Sequence, residues 1–259
     1  VTRRRAAVVA IALVLAVLAG CGGGDEPTYD SRDDLVASAL STTTTTVAAD
    51  PAYRHYIAAA PDDATPVTLY DEPGGPPSSR TVPNPNENGV VATFLVKRRD
   101  VEVDGVRWLE VVLPIRPNGS TAWVKESEVV VSFTDLEVVV SRSAHRLRVD
   151  KEGTTILDFP VGIGTTETPT PGGTFYIKEL LKPTNPDGAY GPYAFGLSGF
   201  SNVIDNSDQF GDGVIGIHGT NEPQLVGTDV SHGCIRLRNE DISRLVGLLP
   251  LGTPVQIVA

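Results

Sequence analysis

From Leu136 to Val161 short runs of alternating apolar and polar residues are broken by turn residues, a pattern that commits the chain to a sheet. Leu136-Glu137-Val138-Val139-Val140, Arg146-Leu147-Arg148-Val149-Asp150 and Thr154 to Val161 read as a meander of strands, with a turn at Lys151-Glu152-Gly153. Thr174 to Leu180, Val214 to His218 and Pro254 to Val258 extend the same pattern. One helix is expected, from about Glu240 to Leu249, with Asn239 as its cap and Ile242, Leu245, Val246 and Leu249 on one face. Lys182 to Asn202, rich in Pro, Gly, Tyr and Ser, reads as a loop, and an irregular segment of that length inside a compact domain is usually functional. The expected fold class is therefore predominantly all-β.

A second β unit is expected over residues 63–131. Its strands are Val67 to Tyr70, Gly89 to Arg98, Val101 to Val103, Val106 to Leu113 and Thr121 to Val124, with Asp104-Gly105 as a hairpin turn. The run Trp108-Leu109-Glu110-Val111 ahead of Gly119-Ser120-Thr121-Ala122-Trp123-Val124 resembles the end of bacterial SH3-like domains, which implies a small β-barrel. Tyr70, Trp108 and Trp123 fit either an aromatic surface for sugar or peptide or the core of the unit. The core is the preferred reading, because a domain this small needs large apolar groups.

The amino terminus reads as a secretion signal. Val1-Thr2-Arg3-Arg4-Arg5 precedes an apolar run from Ala6 to Ala19 that is too short to span a bilayer comfortably, and Leu18-Ala19-Gly20-Cys21 matches a bacterial lipobox. The match implies that residues 1–20 are removed, that Cys21 is lipidated, and that the protein lies outside the cytoplasm on a membrane anchor. Residues 21–62, with Gly22-Gly23-Gly24 and the run Ser41 to Thr46, lack a sustained apolar period; they read as a flexible tether with at most a short helix near Leu35 to Leu40.

This anchor settles the cysteine count. Of two cysteines, Cys21 is blocked by lipid and Cys234 is left as the one free thiol, so no intramolecular disulfide is expected. Charge narrows the partners. The chain carries −11 at pH 7, and loss of residues 1–20 removes three arginines and no acid, leaving −14. Such a surface argues against nucleic-acid binding and requires a local basic feature to meet an anionic substrate; Arg236 and Arg238 are candidates.

Chemistry concentrates in Ser231-His232-Gly233-Cys234-Ile235-Arg236, with Ile217-His218-Gly219-Thr220 a short way upstream. If the stretch is extended, His232, Cys234, Arg236 and Arg238 share one face while Ile235 and Leu237 take the other. A neighbouring imidazole and guanidinium both favour the thiolate. Gly233 permits a tight turn that would let its N–H and that of Cys234 point at a developing oxyanion. Spacing alone leaves open whether His218 or His232 is the base. His145 reads as structural, and His55 is assigned no chemistry.

These two blocks resemble the signature of the L,D-transpeptidases, bacterial cell-wall enzymes with a YkuD-type catalytic domain. Val161-Gly162-Ile163-Gly164 leading to Thr168-Pro169-Thr170-Pro171-Gly172-Gly173-Thr174-Phe175 resembles the same family's Gly-rich segment, and the likeness covers residues 133–259. It implies a β-sandwich with one or two helices, with Cys234 as nucleophile, His218 as general base and the Gly219 carbonyl orienting the imidazole. His232, Gly233 and Cys234 would line the oxyanion hole, and Arg236, Ser231, Thr220 and Tyr193 would meet substrate. Tyr190, Tyr193 and Phe195 are expected to form a lid. The implied substrates are peptidoglycan stem peptides, with no cofactor or metal, and carbapenems are implied acylating agents.

Three rival readings are weaker. A zinc site lacks ligands, since no Cys-x-x-Cys pair accompanies His218, His232 and Cys234. In the commonest cell-wall cysteine peptidases or amidases the cysteine precedes the histidine, the reverse of the order here. A peptidoglycan-binding protein with an inactive catalytic domain gains little support, because every residue of the signature is present.

Overall fold

The computed structural model describes residues 51–204 and 212–259. The expected signal, Cys21, the Leu35 to Leu40 helix and most of the tether lie outside the described residues.

The protein is built on two main sheets. The first contains β1 (His55–Ala59), β2 (Thr93–Val103), β3 (Val106–Val112), β4 (Thr121–Lys125) and β5 (Val130–Thr134), all antiparallel, in the order β4-β3-β2-β1-β5. Strand β1 departs from the expected tether, which ran to residue 62. Only Tyr56 and Ile57 favour a strand and two alanines follow them, so propensity gives a weak signal, yet Ala58 is fully buried between β2 and β5. Conversely, the expected strand Val67 to Tyr70 contributes only isolated bridges from Tyr70 to Pro77 and Trp123. Pro66, Pro73, Pro76 and Pro77 around it cannot donate to a ladder. The Gly89 to Arg98 and Val101 to Val103 strands are one strand, β2, with irregular register between Arg98 and Val101.

Tyr70, Trp108 and Trp123 form their own buried cluster, exposed by 6%, 3% and 8%. They are core, and Tyr70 meets Trp108 edge-on at 4.8 Å.

The second sheet is mixed and has eight strands. Chain order gives β6 (Leu136–Ser141), β7 (Arg146–Lys151), β8 (Thr154–Pro160), β10 (Gly173–Leu181), β11 (Ala194–Phe200), β12 (Val214–His218), β14 (Ile235–Arg236) and β15 (Pro254–Val258). Their spatial order is β14-β12-β11-β10-β15-β6-β7-β8. The short strands β9 (Ile163–Gly164) and β13 (Asp229–Ser231) pair separately in parallel. Helix α1 (Asn239–Val246) turns Ile242 and Leu245 inward to join Val138, Val140, Leu147, Ile217, Ile235 and Leu237 in the main core. The fold is predominantly β with one α-helix among the described residues, in line with the expected class.

Strand β11 lies inside the segment expected to be a loop. Ala-Phe-Gly-Leu-Ser-Gly-Phe has no β-branched residue, but its glycines are required by the neighbouring strand. A Cβ on Gly196 would stand 2.3 Å from Glu179 Oε1, and one on Gly199 would stand 2.4 Å from Phe175 Cδ1. Side chains of β10 cross over β11 at these points, which leaves room only for hydrogen.

The sheets dock through a mixed interface. Tyr176 packs with Leu95 and Val112. The buried Glu179 carboxylate accepts from Asn86 Nδ2 at 2.8 Å and Asn88 Nδ2 at 2.9 Å.

Candidate active site

Register brings the two sequence blocks together. Strands β12 and β14 are parallel, with Ile217 opposite Ile235 and His218 opposite Arg236. One step back along both strands, Gly216 stands beside Cys234, and its N–H reaches Cys234 Sγ at 3.4 Å. Side chains alternate across a strand, so Cys234, Arg236 and His218 occupy one face. A Cβ on Gly216 would lie 4.0 Å from both Cys234 Sγ and His218 Cδ2, which locates the thiol and the imidazole on either side of the same small gap. The expected alternation holds: Gly233, Ile235 and Leu237 are buried, while His232 and Arg238 are exposed and Cys234 and Arg236 half-buried.

His218 is held in one tautomer. Its Nδ1 lies 2.6 Å from the Gly219 carbonyl oxygen, which only accepts, so Nδ1 carries the proton and Nε2 is the basic nitrogen. The imidazole is buried, and the Tyr190 ring lies against it at 4.7 Å between centroids. Burial lowers its pKa from 6.5 to about 4; the Gly219 carbonyl opposes this, and the Arg236 charge adds to it. The Cys234 thiol moves the other way. Burial raises its pKa, against smaller lowering effects from the Gly216 N–H and Arg236. Arg236 was expected to favour the thiolate and does pull the pKa down, but desolvation outweighs it. At neutral pH the resting pair is a thiol and a neutral imidazole.

The turn before Cys234 is stapled from within. Ser231 Oγ donates to the Cys234 carbonyl at 2.6 Å and accepts from the Gly233 N–H at 3.1 Å. Thr170 Oγ1 donates to the Gly233 carbonyl at 2.9 Å and accepts from the Gly164 N–H at 2.8 Å. Thr168 Oγ1 donates to the Ser231 carbonyl at 3.1 Å. Gly233 has φ +120°, a backbone region that side chains rarely tolerate. The Thr-Pro segment thus serves as a buttress for the cysteine turn.

Several expected roles shift. Ser231 and Thr220 are each only 2% exposed, and their hydroxyls serve the turns, Thr220 Oγ1 accepting from the Glu222 N–H at 3.0 Å. The Gly233 N–H, expected to face an oxyanion, is engaged by Ser231 Oγ at 3.1 Å. Phe195 is fully buried in β11 and belongs to the core, not to a lid. Tyr193 is half-buried against the main core, and its carbonyl accepts from the Gly219 N–H at 3.2 Å. Arg236 Nη1 donates to Glu222 Oε2 at 3.2 Å, while its Nε is buried without a hydrogen-bond partner among the described residues.

Asn239 was missed. It is the first residue of α1, and Arg238 takes the capping position. The Asn239 side chain turns back instead, accepting from the Thr220 N–H at 2.8 Å. A Cβ on Gly219 or Gly191 would fall 2.4 Å from its Oδ1, so both glycines make room for it beside His218. His145, expected to be structural, pairs with Asp229 at 2.8 Å beside a separate cavity of about 380 Å³ lined also by Arg142, Thr165 and Thr170. No group of three or more His, Cys, Asp or Glu side chains gathers as a metal cage among the described residues.

Residues 135–257 match the family model of the L,D-transpeptidase catalytic domain, YkuD. The Bacillus subtilis protein YqjB, named for this family, is 31% identical over 134 residues, which cover 48% of this chain and 71% of YqjB. YkuD of Bacillus subtilis is 35% identical over 120 residues, covering 46% of this chain and 64% of YkuD. YbiS of Escherichia coli is 30% identical over 170 residues, covering 55% of this chain and 51% of YbiS. The chain thus spans just under two thirds of YkuD and about half of YbiS. Matched through the strands and turns that bring His218 to Cys234, this chain belongs to the L,D-transpeptidase family with a YkuD-type catalytic domain.

Proposed function

We propose that the protein is a cysteine-dependent L,D-transpeptidase acting on peptidoglycan outside the cytoplasm, held to the membrane through lipid on Cys21. The observation that carries this reading is the 2.6 Å bond from His218 Nδ1 to the Gly219 carbonyl, beside the thiol across Gly216. It leaves a neutral imidazole whose basic Nε2 is directed by the fold.

Cys234 Sγ attacks the carbonyl of the amide that links the L-centre of a diamino acid to the terminal D-alanine of a stem tetrapeptide. His218 Nε2 takes the thiol proton as the S–C bond forms. The Cys234 amide stabilises the oxyanion, with the His232 and Gly233 backbone lining the turn. His218 then returns the proton to the departing nitrogen, the C–N bond breaks, and D-alanine leaves behind a thioester. An amine of a second stem attacks that thioester and loses its proton to His218, and the thiol is regenerated. No redox step and no cofactor enters this balance. Arg236 stands opposite His218 across the paired strands and its charge acts on both His218 and Cys234, which suits it to a substrate carboxylate.

Incubation with a purified disaccharide tetrapeptide tests the reading. Stoichiometric D-alanine release together with a 3→3 linked dimer is expected, and neither from Cys234→Ala. Tripeptide without dimer would assign a hydrolase instead.

A further inference from the structure

The turn between β3 and β4 belongs to the first sheet, yet it ends on the backbone that feeds the site strand. Arg116 Nη1 donates to the Ser201 carbonyl at 2.7 Å, and Nη2 donates to the Ile204 and Asp212 carbonyls at 2.8 Å each. Its guanidinium also lies 4.7 Å over the Phe200 ring. Two residues on, Asn118 acts as one more strand partner, donating to the Phe200 carbonyl at 2.7 Å and accepting its N–H at 2.9 Å. The three carbonyls held by Arg116 lie on both flanks of the connection from β11 to β12. A planar guanidinium can serve them together; a lysine ammonium on its flexible stem cannot reproduce that fork.

The path from this clamp to the thiol is short. Asp212 Oδ1 accepts the Val214 N–H at 3.0 Å, and the Gly213 carbonyl accepts the Ser201 N–H at 2.7 Å. The Val214 carbonyl is the acceptor for the Cys234 thiol at 4.0 Å, the Gly216 N–H meets Sγ at 3.4 Å, and His218 ends the strand. Gly213 has φ +75°, and a Cβ there would fall 2.7 Å from Arg116 Nη2 and 2.6 Å from the Ile204 carbonyl. The chain is shaped to let the guanidinium in.

We propose that Arg116 is a positioning residue for the Cys234 and His218 pair, and that through it the first sheet is a structural part of the active site. Arg116 sets where the β12 backbone stands against the thiol. This rests on Cys234 being the nucleophile. The contact of Asn86 and Asn88 with Glu179 joins the same two sheets at β10, away from the β11 to β12 connection, and supplies the control.

The test uses the full chain as wild type, Arg116→Ala, Arg116→Lys, Asn88→Ala and Cys234→Ala. The rate of Cys234 acylation by a carbapenem is followed by intact mass, the pH profile of Cys234 alkylation by iodoacetamide by peptide mapping, and unfolding by thermal melts. Both Arg116 variants are expected to slow acylation on the order of tenfold or more and to shift the alkylation profile, as a displaced reacting group does. Asn88→Ala is expected to lower the melting temperature and leave rate and profile at wild-type values. Wild-type rate and profile in Arg116→Lys would overturn the proposal, as would equal slowing by Asn88→Ala. If Arg116→Ala does not fold, Arg116→Lys decides. An identical adduct on Cys234→Ala would sink the nucleophile reading, and the proposal with it.

Discussion

Burial keeps His218 neutral at neutral pH, so it stands ready as a base, and once protonated it gives the proton up more readily than an ordinary imidazolium. His218 has its pKa lowered to about 4 from 6.5, so between these values the unfolded chain binds a proton that the folded chain refuses. Its contribution to stability is therefore full above about pH 6.5 and lost as pH falls through that window. The loss amounts to roughly 3 kcal/mol at its acid end, taking 1.36 kcal/mol per unit. Urea unfolding between pH 7 and pH 4 is expected to show wild type losing about that much more stability than His218→Gln; parallel curves would contradict the assigned tautomer and burial. The alternation of residues 232–238 made the reactive face legible, because a strand has only two faces. Asn239 was not, since an asparagine before a helical run reads as a cap, and only the packing of Gly191 and Gly219 against Oδ1 reveals its other use.

Elements matter here through what they buttress. The Thr-Pro segment between β9 and β10 was recognised by resemblance, but its work is physical: Thr170 Oγ1 satisfies the Gly164 N–H and the Gly233 carbonyl at once. Thr170→Val keeps the shape and strands two buried polar groups, which costs about 1–3 kcal/mol for each group left unpaired. Chemical denaturation is expected to show a loss of at least that size, with slower carbapenem acylation because the cysteine turn loosens; unchanged stability would show that the two groups find other partners. Strand β11 illustrates the opposite limit. Its glycines carry the signature of a loop, yet they are there because Glu179 and Phe175 cross it, information that resides in another strand.

At the scale of the molecule, both sheets were foreseeable from strand patterning, whereas the entry of β1 between β2 and β5 was not, since Ala58 is held there by tertiary burial and not by propensity. The aromatic trio of the first sheet is core, which fixes the expected phenotype of its variants. Trp108→Ala is expected to cost about 3–5 kcal/mol of stability, as large core truncations do. A folded, fully stable Trp108→Ala with reduced binding to isolated peptidoglycan would instead restore the surface reading.

Under the proposed function, Cys234 is the one thiol that this fold turns into an acyl acceptor. Intact mass of residues 22–259 after incubation with a carbapenem, beside Cys234→Ala, tests it most directly. A single drug-sized adduct on wild type, mapped to Cys234 and missing from Cys234→Ala, is the expected result. A folded wild type that takes no adduct, or a variant that takes the same one, would contradict the account.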